Sequence, residues 1–446
     1  MYSYTGIGRE YRRAGPASGF KAIRSRASGK RSLQEKPMSA TPQETLGKSL
    51  TLPCGATVGN RFGKAPTSEH LAERSGDPGR ELQALYRIWS EGGCGLIITG
   101  NVMVERRKFE APRNPVFDIK TDPEAVKAYS AAAKAAGNLA IVQISHPGRQ
   151  QQRGRGRPVA PSAVKLGAPA LLFGKPRELS DGEIQNLILR FAQAARIAVD
   201  GGFDGVELHA AHGYLISQFL SPIANQRTDK WGGNFENRAR FLLEVLKAVR
   251  EEIGPEKIIA AKLNSADFQR GGFDNEDSIA TAKLLEAAGL DLLEVSGGTY
   301  EDPAMLTELP KRQSTIAREA YFLEFAEKLR GQTKLPLMVS GGFRSSEAMT
   351  AAVASGATDM VGLARPLTLM PDLPKRVLAG ESLRARDAEP RSRVKFADAF
   401  MGSSWHNQHY ARMANGKQAA DGRGALSTLA IGTARLQRDG ALYGRS

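Results

Sequence analysis

The stretch DGVELHAAHGYL, Asp204 to Leu215, decides how this chain folds. Its first half is a short apolar run, the length and texture of a strand buried on both faces. Its second half carries His209, His212 and Tyr214, and two of the chain's six histidines lie here. A strand that ends in chemistry-bearing side chains is what an α/β barrel presents at its mouth. The three side chains suit a metal site, a proton relay, a grip on a carbonyl oxygen, or packing.

The same unit recurs along the chain. Strands are expected at 60–65, 95–99, 139–144, 204–208, 258–263, 291–295, 336–340 and 358–363. Amphipathic helices are expected near 80–91, 122–136, 180–200, 236–253, 275–288, 314–330, 345–354 and 372–380. Ser180 to Glu183 reads as a capping box, and Gly137 and Gly289 read as helix ends. Eight strand–helix units predict an α/β fold of the TIM (β/α)8 barrel type. A doubly wound open sheet is the alternative. Residues 1–45 read as a disordered tail, 46–385 as the barrel and 386–446 as a C-terminal helical extension. Within the extension, Trp405, His406, His409 and Tyr410 are expected to pack on the barrel or a partner subunit, with a metal site as the lesser reading.

Composition narrows the classes. With 41% hydrophobic and 24% charged residues the chain has the make-up of a soluble globular protein. It contains no apolar run near the length of a membrane span. Two cysteines, Cys54 and Cys94, are too few for a disulfide framework or a four-thiolate site. The net charge of +15 raises nucleic acid as a partner, but residues 1–37 alone hold nine Lys or Arg against two Glu. The one dense basic run in the body, QQRGRGRP (Gln151 to Pro158), is Gly-rich and lacks interleaved aromatics, so nucleic-acid binding is not expected. The basic start reads as an extension upstream of a start near Met38, with organellar targeting as the alternative to a cytoplasmic location.

Polar groups follow every strand. After the first come Ala65, Pro66, Thr67 and Ser68; after the second, Gly100 and Asn101; the third ends in Gln143, Ser145 and His146. Lys262 and Asn264 end the fifth, Ser296 the sixth, Ser340 to Arg344 the seventh, and Ala364 and Arg365 the eighth. Gly-Gly after strand seven with Ala-Arg after strand eight points to a phosphorylated ligand. Lys262 has three readings: a Schiff base, a charge that stabilises a ligand anion, or a pair with a nearby carboxylate. An i, i+3 spacing on the first turn after a strand puts His209 and His212 on one face. No HxH or HExxH motif accompanies them, which weighs against zinc. Two N–H donors side by side suit an oxygen that gains charge, and Tyr214 can supply a proton.

The run HAAHGYLISQFLSPIANQRTDKWGGNFENRARFLLEV (His209 to Val245) resembles the old yellow enzyme family of FMN-dependent ene-reductases. NRFGKAPTS (Asn60 to Ser68), VQISHPGRQ (Val142 to Gln150), the GGF after strand seven and LARPL (Leu363 to Leu367) extend the resemblance over about residues 50 to 370. The resemblance implies FMN across the strand ends and NADPH or NADH as reductant. It implies that Ala65, Pro66, Thr67 and Ser68 line the flavin, that Asn101 and Gln143 approach its pyrimidine side, and that Lys262 sits by N1 and O2. Gly342, Phe343, Ala364 and Arg365 would hold the phosphate. His209 and His212 would bind the activating oxygen of an electrophilic alkene, and Tyr214 would donate the proton. Amine demethylation, double-bond isomerisation and a non-catalytic flavin barrel are the alternatives, and a homo-oligomer is compatible with all of them. Three positions depart from the family: Ser68 stands for Thr or Cys, Asn101 for a small residue, and His70 where a subset places a substrate-contacting Tyr. The chain lacks the cysteine set of the iron–sulfur branch.

Overall fold

The computed structural model describes residues 41–152, 156–167, 173–299, 322–386, 395–418 and 424–443. Eight parallel strands form the barrel: β1 (Phe62–Lys64), β2 (Leu96–Ile98), β3 (Leu139–Ser145), β4 (Gly205–Ala210), β5 (Ile258–Asn264), β6 (Leu292–Ser296), β7 (Leu337–Ser340) and β8 (Met360–Leu363). Each pairs with its neighbour, and β8 returns to β1 through Val361 opposite Phe62. That closure excludes the open doubly wound sheet.

Alternation along each strand sorts the side chains into two cores. Leu96, Ile98, Ile141, Ile258, Ala260, Leu292, Met338 and Met360 fill the barrel interior. A hairpin pairing Leu50–Thr51 with Thr57–Val58 closes its lower end, adding Leu52 and Val58 to that interior cluster. Val206, Leu208, Ile259, Ala261, Leu293 and Val295 point outward to the helices. Continuing the same alternation up the strands, the inward-facing residues above this layer are Gln143, Glu207, His209, Lys262 and Glu294. The upper part of the barrel is polar because the sequence places these residues in register with the apolar layer below.

The helices are α1 (Arg80–Glu91), α2 (Pro123–Ala133), α3 (Asp181–Asp200), α4 (Phe235–Ile253), α5 (Asn275–Ala287), α6 (Leu323–Arg330), α7 (Ser346–Ala354) and α8 (Leu373–Leu378). The Ser180–Glu183 capping box forms as expected, and Asp274 caps α5 through the Glu276 and Asp277 amides. The earlier part of the helix expected at 314–330 lies outside the described residues, as do residues 1–40 and part of the basic loop. Residues 41–45, read from the sequence as part of the tail, are structured: Pro42–Leu46 is a helix with a Thr41–Glu44 capping box, and Leu46 is buried in the outer core.

Two C-terminal helices follow, α9 (Lys395–Ala414) and α10 (Ala425–Tyr443). Tyr410 meets Trp89 of α1 edge to face at 5.4 Å, and the His406 Nδ1 lies 2.8 Å from Thr368 Oγ1. Trp405, His406, His409 and Tyr410 are all buried. The extension thus packs along the barrel wall.

Candidate active site

Strands β3 to β6 bring four polar side chains together inside the barrel. Gln143 Nε2 donates to Glu207 Oε1 at 2.8 Å, and Lys262 Nζ donates to Glu294 Oε1 at 2.8 Å. Register explains the neighbours: Gln143 pairs with Glu207 across β3 and β4, and Lys262 pairs with Glu294 across β5 and β6. Lys262 therefore realises the carboxylate-paired reading, which leaves two of its three N–H donors for other partners. Burial and the neighbouring Glu294 push the Glu207 carboxyl well above the usual range.

His209 lies within β4, and His212 sits beyond its end with φ of 60°. The pair is thus not displayed on a helical turn, as the spacing alone suggested. A strand followed by a left-handed residue brings the rings together, with centroids 5.2 Å apart and edge to face. A non-glycine residue in this conformation needs external support. The His212 amide donates to Asn264 Oδ1 at 3.2 Å, and Gln150 Nε2 donates to the His212 carbonyl at 2.8 Å. His212 Nε2 lies 2.9 Å from Ser296 Oγ. The Ala211 amide donates to His209 Nδ1 at 3.4 Å, which leaves the imidazole proton on Nε2. Burial, then the Lys262 charge, hold both histidines well below their ordinary pKa, so both are neutral at pH 7. Tyr214 is 4% exposed and its ring centroid stands 4.5 Å from that of His209. Its neighbour Leu215 is tied to β3 by donating to the His146 carbonyl at 3.0 Å.

Residues 65–70 form the rim after β1. Their anchor is a buried ion pair that sequence reading did not single out: Lys64 Nζ to Glu69 Oε1 at 3.1 Å. Thr67 Oγ1 and Tyr86 OH also donate to Glu69 Oε1, at 2.7 and 2.9 Å. Tyr86 OH in turn accepts from the Gly100 amide at 2.7 Å, tying the β1 rim to β2. Gly100 must be glycine, since a Cβ there would stand 2.0 Å from the Thr67 carbonyl oxygen. Ser68 Oγ donates to Asn101 Oδ1 at 2.9 Å, and Asn101 Nδ2 donates to Glu110. Asn101, which the sequence offered as a ligand contact, also orients Ser68. His70 has φ of 54° and its Nδ1 lies 3.0 Å from Asn407 Nδ2. Arg435 donates to the His70 carbonyl at 3.0 Å. Burial, with the Arg435 and Arg113 charges, lowers the His70 pKa to about 3.

At the ends of β7 and β8 the backbone turns through Gly341 and Gly342, with φ of 121° and 87°. Phe343 and Arg344 are buried behind them, and Ser345 caps α7 by accepting from the Ala348 amide. Ser340 Oγ is buried with no hydrogen-bond partner. Ala364 and Arg365 follow β8, with Arg365 at the start of the short helix Pro366–Leu369. The signal missed in the sequence was the acids: Glu207 and Glu294 stand within strands whose runs read as apolar, and Glu69 stands in the loop after β1.

Residues 52–383 match the model of the NADH:flavin oxidoreductase / NADH oxidase family. The chain is 40% identical over 355 residues to the NADH-dependent flavin oxidoreductase iliE of Neonectria sp. (strain DH2), spanning 74% of this chain and 46% of that protein. It is 38% identical over 364 residues to the protein of the same name from Hypocrea jecorina (strain QM6a), 76% of this chain and 90% of the relative. Among solved structures, the old yellow enzyme homologue from Zymomonas mobilis superposes with a TM-score of 0.66 at 28% identity, covering 79% of this chain and 98% of that one. The closed barrel, the polar mouth and these matches together assign the chain to the NADH:flavin oxidoreductase / NADH oxidase family.

Proposed function

We propose that this protein is an FMN-dependent oxidoreductase that uses NADH or NADPH to reduce an activated C=C bond in an α,β-unsaturated carbonyl or nitro compound. The observation that carries the reading is the pair of neutral imidazoles, 5.2 Å apart, with the Tyr214 ring against His209.

The residues fit FMN. Ser340 Oγ is a buried hydroxyl lacking a partner beside the Gly341–Gly342 turn, and Lys262 puts a cation at the inner end of the mouth. In this assignment Gly342, Phe343, Ala364 and Arg365 hold the phosphate, and Ala65, Pro66, Thr67 and Ser68 line the ring. Gln143 and Lys262 serve its pyrimidine side, with Asn101 acting through Ser68. FMN held there would supply the redox chemistry, the relay of hydride equivalents from a nicotinamide to an activated alkene.

The chain's own residues do the rest. His209 presents Nε2–H. In the His212 tautomer that carries its proton on Nδ1, Nε2 accepts from Ser296 Oγ, 2.9 Å away. Each imidazole thus offers one N–H to the substrate oxygen, where charge develops, and such a donor is worth about 3 kcal/mol. Neutral donors suit this role because they stabilise the oxygen without protonating it. Tyr214, fixed by its packing on His209, donates a proton to the α-carbon. His70 borders the substrate from the β1 rim.

Purified protein should bind FMN and be yellow, NADH or NADPH should bleach it without oxygen, and a panel of enones, nitroalkenes and maleimides should restore the colour. Protein that takes up no FMN, or reduced protein that none of these alkenes reoxidises, would overturn the proposal.

A further inference from the structure

Two carboxylates stand side by side inside the barrel with too few donors between them. Glu207 on β4 and Glu294 on β6 are both 0% exposed. Each has one oxygen satisfied, Glu207 Oε1 by Gln143 Nε2 and Glu294 Oε1 by Lys262 Nζ. Their Oε2 atoms are both buried and both without a donor. The two side chains are within hydrogen-bonding reach of one another. Buried acceptors left unpaired are costly, and two adjacent carboxylates resist ionising together. One proton between the pair removes both penalties.

The charged neighbour decides which residue carries it. Glu294 is in direct ion-pair contact with the Lys262 ammonium from β5, whereas Glu207 accepts from the Gln143 amide of β3 and meets the Lys262 charge without a direct ion pair, and His209 on its own strand is neutral. We propose that Glu207 and Glu294 share one proton, that it resides on Glu207, and that this keeps the group formed with Lys262 electrically neutral. Glu207 is then a positioning residue: its O–H holds Glu294, which holds Lys262. A second ionised carboxylate would give the group a net negative charge and weaken any anion at the mouth. That last consequence rests on the FMN reading, while the proton itself does not.

The experiment reads the proton in the protein with or without FMN. Infrared difference spectra of wild type against Glu207→Gln at pH 7 should contain the carbonyl stretch of a protonated carboxylic acid, shifted by deuterium exchange. Glu207→Gln keeps an acceptor for Gln143 and a donor for Glu294, so it should fold normally. Glu207 has its folded pKa raised, so wild-type stability is lost as pH rises from the ordinary glutamate range toward that pKa. The folding equilibrium should therefore shift in favour of Glu207→Gln by up to about tenfold per pH unit. Absence of the carbonyl band, or a stability difference that does not change with pH, would overturn the proposal. Failure to bind FMN would leave both readouts intact and would count against the functional reading alone.

Discussion

Glu69→Gln removes the charge opposite Lys64 while leaving the shape of the β1 rim unchanged. Lys64 and Glu69 are 1% and 2% exposed, so the substitution strands a buried ammonium. Breaking such a pair costs about 3–5 kcal/mol. The lower end applies here for three reasons. Lys64 Nζ keeps contacts to Thr67 Oγ1 at 3.0 Å and to the Ile98 carbonyl at 3.3 Å. It lies 4.9 and 4.4 Å from the ring centroids of Tyr86 and Trp89. Burial already lowers its pKa, so it can shed its proton. The expected loss is about 3 kcal/mol. Lys64→Met should cost less, because Glu69 retains the Thr67 and Tyr86 hydroxyl donors. The double variant buries no charge and loses hydrogen bonds worth only about 1 kcal/mol each. It should therefore be more stable than Glu69→Gln alone. Urea unfolding followed by fluorescence and circular dichroism measures all four proteins, with coincident transitions justifying the two-state treatment. FMN affinity should fall in step with stability, since the same pair anchors Thr67, which the proposed function sets against the flavin. A Glu69→Gln loss below about 1 kcal/mol, or a double variant equal to the sum of the singles, would refute a buried, coupled pair.

Three further outcomes are expected. Tyr214→Phe should slow reoxidation by a cyclohexenone-type substrate by about 10²–10⁴-fold and leave reduction by NADH unchanged; stopped-flow measurement of the two half-reactions decides, and equal slowing removes Tyr214 as the proton donor. His209, His212 and His70 all have folded pKa values below the ordinary 6.5, so their contribution to stability is complete above pH 6.5 and is lost as pH falls, by up to about 1.4 kcal/mol per pH unit for each; unfolding midpoints between pH 5 and 7.5 should show this slope, and His70→Leu should flatten it. Asn407→Leu removes the partner of His70 Nδ1 and should change KM for bulky enones about fivefold with little change in kcat, as one lost hydrogen bond implies; steady-state kinetics on a substrate series would show no change if the C-terminal extension does not shape the site.

The barrel was legible because each strand is a short apolar run with its own helix behind it. Strand and helix positions can be read locally, and the eightfold count forces closure. The histidines and Tyr214 were legible because they cluster in sequence. Their geometry was not, since the left-handed turn at His212 depends on Asn264 and Gln150, which stand 52 and 62 residues away. The same distance hid the acids. Glu207 within DGVEL and Glu294 within DLLEV look like interruptions of apolar strands, and only the pairing of β3 with β4 and β5 with β6 gives them partners. His70 became legible last, because Asn407 and Arg435 lie more than 300 residues further along the chain.

Electrostatics explains why these groups share one mouth. If both imidazoles were protonated, they and Lys262 would put three positive charges in a buried space. Glu294 alone would oppose them once Glu207 holds a proton. Burial and the Lys262 charge instead keep the imidazoles neutral, which suits them to the proposed role of oriented dipoles. Lys262 supplies the cation that both imidazoles feel, and Glu294 balances it. A ligand can then gain negative charge beside Lys262, and a substrate oxygen can gain it beside the histidines, without either event requiring a side chain in this group to change protonation. On the proposed reading, that leaves Tyr214 as the residue from which the proton comes. A single Lys262→Met substitution tests this division of labour. It should raise the pKa of both histidines by removing the cation that depresses them, and nitrogen chemical shifts of the two rings would report it. Unchanged imidazole titration in that variant would show that burial alone sets their neutrality.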